Sequence, residues 1–194
     1  PKCIGFIGAG DFAKGVLLPT LKNIGDLRLK GIATATGMTS RHAGERFGFE
    51  YCTSDYKEII NDPEIGCVFI VTRHDLHAKI ASEALESGKH VFLEKPLALG
   101  EEELRELIKS KERSQGSLMV GFNRRFSSFS KEAKALFAKR VNPLIVNYRV
   151  NAGFIPKTHW SQDIREGGGR IIGEICHFVD LIQFLIGSPP VRVY

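Results

Sequence analysis

The stretch Cys3-Ile4-Gly5-Phe6-Ile7-Gly8-Ala9-Gly10-Asp11-Phe12-Ala13 runs an apolar segment straight into a G-x-G-x-x-A turn. Behind a buried strand and at the head of a helix, this pattern is a dinucleotide-binding turn. Gly8 permits the tight bend, Gly10 lets a pyrophosphate approach the backbone, and Ala13 lets the helix pack on the strand. The first helical amides, over Asp11 and Phe12, then offer N–H groups to an anion. The same glycines could serve packing alone, so the remaining chain has to supply strands and helices in the matching order.

It does so by alternation. Apolar runs at 3–8, 27–36, 50–52, 67–72, 90–94 and 118–121 alternate with helical patterns near 11–23, 40–47, 54–61, 76–87 and 101–114. Such alternation predicts a parallel sheet with crossover helices. Cys67-Val68-Phe69-Ile70-Val71 is continuously apolar, as a central strand covered on both faces should be. The fold class is therefore α/β: a doubly wound parallel (Rossmann) sheet over residues 1–122, followed by the start of a truncated α/β substrate domain over 123–194. Right-handed crossovers place the first strand centrally, with the ligand crevice beyond the strands' carboxyl ends. Pro19 inside the first helical pattern predicts a kink or an early end. The second domain is expected to contain a helix at 131–140, a strand at 144–151, a polar loop at 151–169 and a helix at 174–186. That last helix places Ile175, Phe178, Val179, Ile182 and Ile186 along one side, at spacings of three and four.

Composition narrows the function classes. The 194 residues are 43% hydrophobic, enough for a core. No apolar run approaches the roughly 20 residues that span a bilayer, and no charged-then-apolar signal segment opens the chain. A membrane is thus not an expected partner. The net charge of +5 comes from Lys and Arg interleaved with Asp and Glu, with no basic stripe, so nucleic acid is not an expected partner either. Cys3, Cys52, Cys67 and Cys176 are scattered and form no C-x-x-C pair, which predicts reduced core thiols, a cytoplasmic location and no metal site.

The predicted strand ends carry the chemistry. Dinucleotide enzymes that read NAD place an acid about 20 residues past the glycines to hold the ribose hydroxyls. Here the second strand's tip reads Ala35-Thr36-Gly37-Met38-Thr39-Ser40-Arg41, with no acid. Thr36, Ser40 and Arg41 suit a 2′-phosphate, since Arg offers phosphate a planar fork of charged donors. Alternatively, Ser40 caps the second helix and Arg41 is solvated. The fourth strand ends in Thr72-Arg73-His74-Asp75-Leu76-His77, where Thr72, Arg73 and His77 either line the cofactor site or serve as cap and surface residues. The fifth ends in Glu94-Lys95-Pro96, either a lysine directed at a substrate hydroxyl or an ordinary charged exit from a strand.

Together these segments resemble the glucose–fructose oxidoreductase/inositol dehydrogenase (Gfo/Idh/MocA) family. The resemblance runs through Ile7-Gly8-Ala9-Gly10, Thr72 to His77, and His90-Val91-Phe92-Leu93-Glu94-Lys95-Pro96-Leu97-Ala98. It continues in Val120-Gly121-Phe122-Asn123-Arg124-Arg125-Phe126 and in Gly167-Gly168-Gly169 followed by His177 and Asp180. It implies that Lys95 faces substrate and that His177 gives or takes the proton released with hydride transfer. Glu94 falls on the cofactor side of the same site. The family usually carries an Asp ahead of that histidine in D-x-G-x-x-H or D-x-G-x-H; this chain has Gly173-Glu174-Ile175-Cys176-His177. Glu174 lies one residue along, about 100° around a helix, and cannot reproduce the aspartate's geometry. Ala35-Thr36-Gly37, Arg41-His42 and Tyr51-Cys52-Thr53 are most similar to family members fused behind a zinc-type alcohol dehydrogenase module, which would account for a chain without an initiator methionine.

The function implied is an NADP- or NAD-dependent oxidoreductase acting on a hydroxyl carbon of a sugar, nucleotide sugar or polyol. The alternative is a non-catalytic dinucleotide-binding or sensory module of a larger fused protein. The expected partners are a small sugar-like substrate and either a second copy of the chain or the rest of a longer one. On this reading the isolated fragment is an incomplete functional unit.

Overall fold

Six parallel strands form in a computed structural model of the chain, which describes residues 2–193. They are β1 (Lys2–Ile7), β2 (Leu27–Ala33), β3 (Tyr51–Thr53), β4 (Cys67–Ile70), β5 (His90–Leu93) and β6 (Leu118–Val120), in the order β3-β2-β1-β4-β5-β6. The order reverses between β1 and β4, the switch point where open α/β sheets bind ligands. Because every pairing is parallel, the carboxyl ends of all six strands lie along one edge. The chain divides into two compact units, Pro1–Val120 and Gly121–Tyr194.

Two cores sandwich the sheet of the first unit. Phe6, Ile32 and Ile4 pack with Ala13, with Leu18 and Leu21 from α1 (Leu18–Lys22), and with Ala43 and Phe47 from α2 (Gly37–Phe47). On the other side, Ile7, Val68, Ile70 and Leu93 pack with residues of α3 (Tyr56–Asn61), α4 (His77–Glu86) and α5 (Glu101–Arg113). Phe6, Phe69 and Phe92 occupy the same level on β1, β4 and β5, with successive ring centroids 5.6 and 4.8 Å apart. Offset-stacked rings of this kind add stability beyond their buried area.

The helix termini follow local chemistry. Thr36 caps α2 by accepting from the Thr39 amide, and Asp55 caps α3 by accepting from the Lys57 amide. Glu101, Glu102 and Glu103 open α5, while Lys111 and Arg113 close it, matching the helix dipole at both ends. Pro19 causes neither a break nor an early end. Residues Ala13–Leu17 wind as a π-helix that runs without interruption into α1, so the expected disturbance takes the form of a π segment ahead of the proline and the helix continues to Lys22.

The second unit contains a 3₁₀ turn (Asn123–Phe126), α6 (Ser128–Phe137), a second 3₁₀ turn (Trp160–Gln162) and π-helical Ile171–Ile175 leading into α7 (Cys176–Ile186). One expectation fails here. Residues 144–151 form no strand: among the described residues this unit has no partner strand, and a ladder needs two sets of backbone groups. The last helix forms as expected, and its apolar side is not the side buried within this unit. Ile175 and Val179 are exposed, whereas His177, Asp180 and Leu181 are buried. A bidentate ion pair from Arg125 to Asp180 takes that helix face inward, with the Arg125 Nε donating to Oδ2 at 2.9 Å. No described helix is long and apolar enough to cross a membrane.

The packing of β1 on β2 yields a stability prediction. Gly5 and Gly31 are register partners, and a Cβ on Gly31 would lie 2.3 Å from the Tyr51 ring and 2.7 Å from Ile59 Cδ1. Gly31→Val should therefore cost about 1–3 kcal/mol of stability through overpacking and lower the denaturant midpoint accordingly. Chemical denaturation of the variant against the parent chain tests this, and an unchanged midpoint would show that the hollow is not tightly filled.

Candidate active site at the strand carboxyl ends

Immediately beyond β1, Gly8 has φ +97°, a conformation that non-glycine residues rarely adopt. Its amide donates to Ala33 O at 2.8 Å, and Val71 N–H donates to Ile7 O at 2.8 Å. The turn is thereby pinned between the ends of β2 and β4. A Cβ on Gly8 would lie 2.5 Å from Val71 O, so the close approach of the β4 end excludes a side chain as firmly as the backbone angle does. Gly10 differs: a Cβ there would meet nothing within 4 Å. Lys14 N–H donates to Gly10 O at 3.0 Å, and the amides of Asp11, Phe12 and Ala13 precede that bond. Ala13 is buried against the sheet, while the Asp11 and Phe12 side chains are exposed and Asp11 lies 3.7 Å from Lys14. The turn thus presents helix-terminal amides beside open space.

At the β2 end, three hydroxyls form one cluster. Thr34 Oγ1 and Thr39 Oγ1 are 2.5 Å apart, Thr36 Oγ1 and Thr39 Oγ1 are 2.9 Å apart, and Thr34 Oγ1 donates to Thr36 O at 2.9 Å. Thr34 and Thr39 were not among the sequence candidates. The cap spacing Thr36-x-x-Thr39 was the available signal, because the residue three after a cap faces back onto it. Ser40 does not belong to this cluster and does not cap α2. It is 1% exposed and its hydroxyl donates to Gly37 O at 3.0 Å, making it a packing residue of the helix. Arg41 is solvated, as one reading anticipated, and its Nε donates to Glu45 at 2.8 Å, one turn along α2. That carboxylate holds the guanidinium pKa above its ordinary value.

At the β4 end, the Thr72 hydroxyl donates to Arg73 O at 3.1 Å, Arg73 is exposed, and His74–Leu76 form a 3₁₀ turn into α4. His77 corrects its sequence assignment. It is fully buried, with Nδ1 2.7 Å from Pro96 O and Nε2 3.1 Å from Thr72 O, and neither nitrogen is left for a cofactor. Burial pushes its pKa down, against the two carbonyls that push it up.

At the β5 end, Glu94 N–H makes the last backbone bond to β4, donating to Ile70 O at 3.0 Å. The Glu94 carboxyl is 9% exposed. Its Oε2 accepts from the Lys95 amide at 3.3 Å, and its buried Oε1 has no hydrogen-bond partner. Burial raises its pKa to about 7, opposed by the Lys95 amide and the Lys95 charge. Lys95 is half-buried, and its peptide bond to Pro96 is cis.

The structure thus brings Gly8, Gly10, Thr36, Thr72, Glu94 and Lys95 to one edge of one sheet, within the first unit. His177 stands in the second unit, in the first turn of α7. It is 7% exposed, with its ring edge toward Phe122 at a centroid distance of 6.0 Å. Gly173, where an acid was looked for, is buried in the preceding π turn. No cluster of three or more potential metal ligands occurs among the described residues.

This geometry has close counterparts. A family described as "Oxidoreductase family, NAD-binding Rossmann fold" (GFO_IDH_MocA) matches residues 2–122. Levoglucosan dehydrogenase of Pseudarthrobacter phenanthrenivorans is 34% identical over 166 residues, which are 82% of this chain and 43% of that protein. Inositol 2-dehydrogenase of Rhizobium meliloti is 31% identical over 191 residues, 97% of this chain and 56% of that protein. A structure of levoglucosan dehydrogenase in complex with NADH and levoglucosan superposes with a TM-score of 0.83 at 30% identity, covering 96% of this chain and 54% of the other. The chain spans about half the length of the curated relatives it matches. With the family match spanning its whole parallel sheet, the chain belongs to the Gfo/Idh/MocA oxidoreductase family, whose NAD-binding Rossmann domain is its first unit.

Proposed function

We propose that this chain carries the cofactor-binding half of an NAD(P)-dependent dehydrogenase that moves hydride to or from a hydroxyl-bearing carbon of a sugar, nucleotide sugar or polyol. The observation that carries this reading is the contrast between Gly8 and Gly10. Gly8 is required by the fold's own backbone, whereas Gly10 borders open space, which leaves room for a ligand to approach the turn. A pyrophosphate over Gly8, Gly10 and the amides of Asp11 to Ala13 fits that space and the sign of the helix terminus. The named activities of the relatives, on levoglucosan and inositol, support a polyhydroxylated substrate.

A bound nicotinamide supplies a hydride acceptor or donor. The chain's part is then to handle the proton. As the carbinol C–H bond gives up its electron pair with the hydrogen, the O–H proton must leave as well. Lys95 would hydrogen-bond the hydroxyl and favour its ionised form, and His177 would take the proton. Glu94 joins Lys95 on the cofactor side, its carboxyl held at the start of the Lys95 turn by the Lys95 amide. The hydroxyls of Thr34, Thr36 and Thr39, the missing acid and the nearby Arg41 favour NADP over NAD, with Arg41 leaving Glu45 to meet a 2′-phosphate. Four free thiols favour a reducing cytoplasm. Exposed Phe129, Leu136, Ile145 and Phe154 favour burial against a second copy or further chain.

Fluorescence titration of the longest natural form with NADH and NADPH tests the cofactor reading. Gly10→Val should abolish binding of both without lowering the melting temperature, because its side chain enters the ligand's volume and no other. Arg41→Ala should weaken NADPH alone by roughly tenfold, about 1.5 kcal/mol for one charge-assisted bond. Undiminished binding by the Gly10 variant would reject the pyrophosphate site.

For turnover, Lys95→Ala and His177→Ala should each lower kcat by about 10²–10⁴ while leaving dinucleotide affinity within about twofold, measured on nucleotide sugars and polyols by nicotinamide absorbance. Normal turnover by Lys95→Ala would move the protein into the non-catalytic class.

Glu94 adds a pH test. A carboxyl whose pKa rises from 4.5 to about 7 on folding binds more protons folded than unfolded across that window. Stability should therefore fall as pH rises through it, by up to about 3 kcal/mol at ~1.4 kcal/mol per pKa unit. Glu94→Gln should flatten the slope between pH 4.5 and 7 in denaturation experiments; an unchanged slope would mean that Glu94 titrates as an ordinary carboxylate.

A further inference from the structure

We propose that His77 is a positioning residue, a side-chain rung that ties the turn after β4 to the Glu94-Lys95-Pro96 turn after β5 and thereby fixes where Lys95 stands. The role of Lys95 rests on the dehydrogenase reading above; the clamp itself does not.

The backbone ladder between β4 and β5 ends where Glu94 N–H donates to Ile70 O at 3.0 Å. Two residues further on, Pro96 has no N–H, so it cannot donate toward β4. The Pro96 and Thr72 carbonyl oxygens instead flank the His77 ring, 2.7 Å from Nδ1 and 3.1 Å from Nε2, and a neutral ring can donate to one of them. The ring comes from the first residue of α4 and is 0% exposed. It bridges turns that are 19 residues apart on one side and 5 on the other, and the 19-residue bridge ends one residue past Lys95.

A neutral imidazole has one donor nitrogen. The shorter contact assigns the proton to Nδ1, donated to Pro96 O, which puts the stronger tie on the lysine turn. Burial keeps the ring neutral. Among the charged groups facing it, Lys95 acts in the same direction and Asp75 in the other, and the His74 ring lies 5.5 Å away on the helix side. An apolar residue could fill the same buried volume but would leave the Pro96 carbonyl without its donor. A contact residue for cofactor would need a free ring nitrogen, and His77 has none.

The test uses the ring's own signature and local backbone opening, so it needs neither cofactor nor substrate. Long-range ¹H–¹⁵N correlation spectra of the unaltered protein should show a neutral ring protonated on Nδ1. Hydrogen exchange should be roughly tenfold faster at the amides of Lys95, Leu97 and Ala98 in His77→Leu, with β1 and β2 amides changed by less than about twofold. His77→Gln, which keeps a donor amide at similar reach, should recover most of the lost protection. If the leucine variant does not fold, the spectra of the parent and the exchange of the glutamine variant still decide. A proton on Nε2, a charged ring, no local rise in exchange, or a rise spread evenly over the sheet would each overturn the clamp. Loss of the dehydrogenase reading would leave these readouts untouched, and failure of the clamp would leave cofactor binding untouched.

Discussion

The close approach of the β4 end to Gly8 is the constraint on which the rest of the site depends. In a sheet ordered β3-β2-β1-β4-β5-β6, β1 and β4 are the strands between which the connection reverses, and their ends must diverge to leave a crevice. Here they diverge only after Val71 N–H has bonded to Ile7 O and after Gly8 has turned with φ +97° under Val71 O. A residue with a Cβ would be rejected twice at that point, by its own backbone angle and by the carbonyl of the next strand. The chain then leaves toward the helix already aimed, which is why Gly10 can face open space without loosening the turn.

The strand ends differ in how they are held, and the difference is chemical. β1 is joined to β2 past its end by the bond from Gly8 N–H to Ala33 O, and β2 to β3 by the bond from Thr34 N–H to Thr53 O. β4 and β5 run out of backbone donors at Pro96, and a side chain takes over. The same region holds a carboxyl with a pKa of about 7 and one unpaired oxygen. Buried polar atoms are costly unless paired, so a fold that concentrates them at one strand end sacrifices stability for a surface that a polar ligand can complete. That trade is characteristic of sites rather than of cores.

The parallel sheet was legible because its signals are local and repeated: continuous apolar runs, helical spacing between them and glycine at the first turn. What the sequence hid was long-range. His77 reads as a polar residue on a loop until the fold brings Pro96 O beside it, and Ser40 reads as a helix cap until Thr36 is seen to do the capping. Pro19 suggested a kink or an early end, and the helix instead continues to Lys22 with a π segment immediately before the proline. The strand expected at 144–151 failed for a different reason. Its alternation is real, but alternation describes only one side of a pairing, and the described residues of the second unit supply no partner.

The helix bearing His177 shows how that unit compensates. A purely apolar stripe would have turned Ile175 and Val179 inward, yet these are exposed and Asp180 is 8% exposed. A buried carboxylate is tolerated only when paired with good geometry, and the two-point contact with Arg125 provides it. The Arg125 guanidinium also lies 5.6 Å from the Phe184 ring and Arg124 lies 5.1 Å from Phe178, so cations and aromatics share the packing surface of α7. His177 and Asp180 are three residues apart and occupy the same helix face. With Asp180 engaged by Arg125, the same helix face carries the His177 ring against Phe122, at a centroid distance of 6.0 Å within this unit.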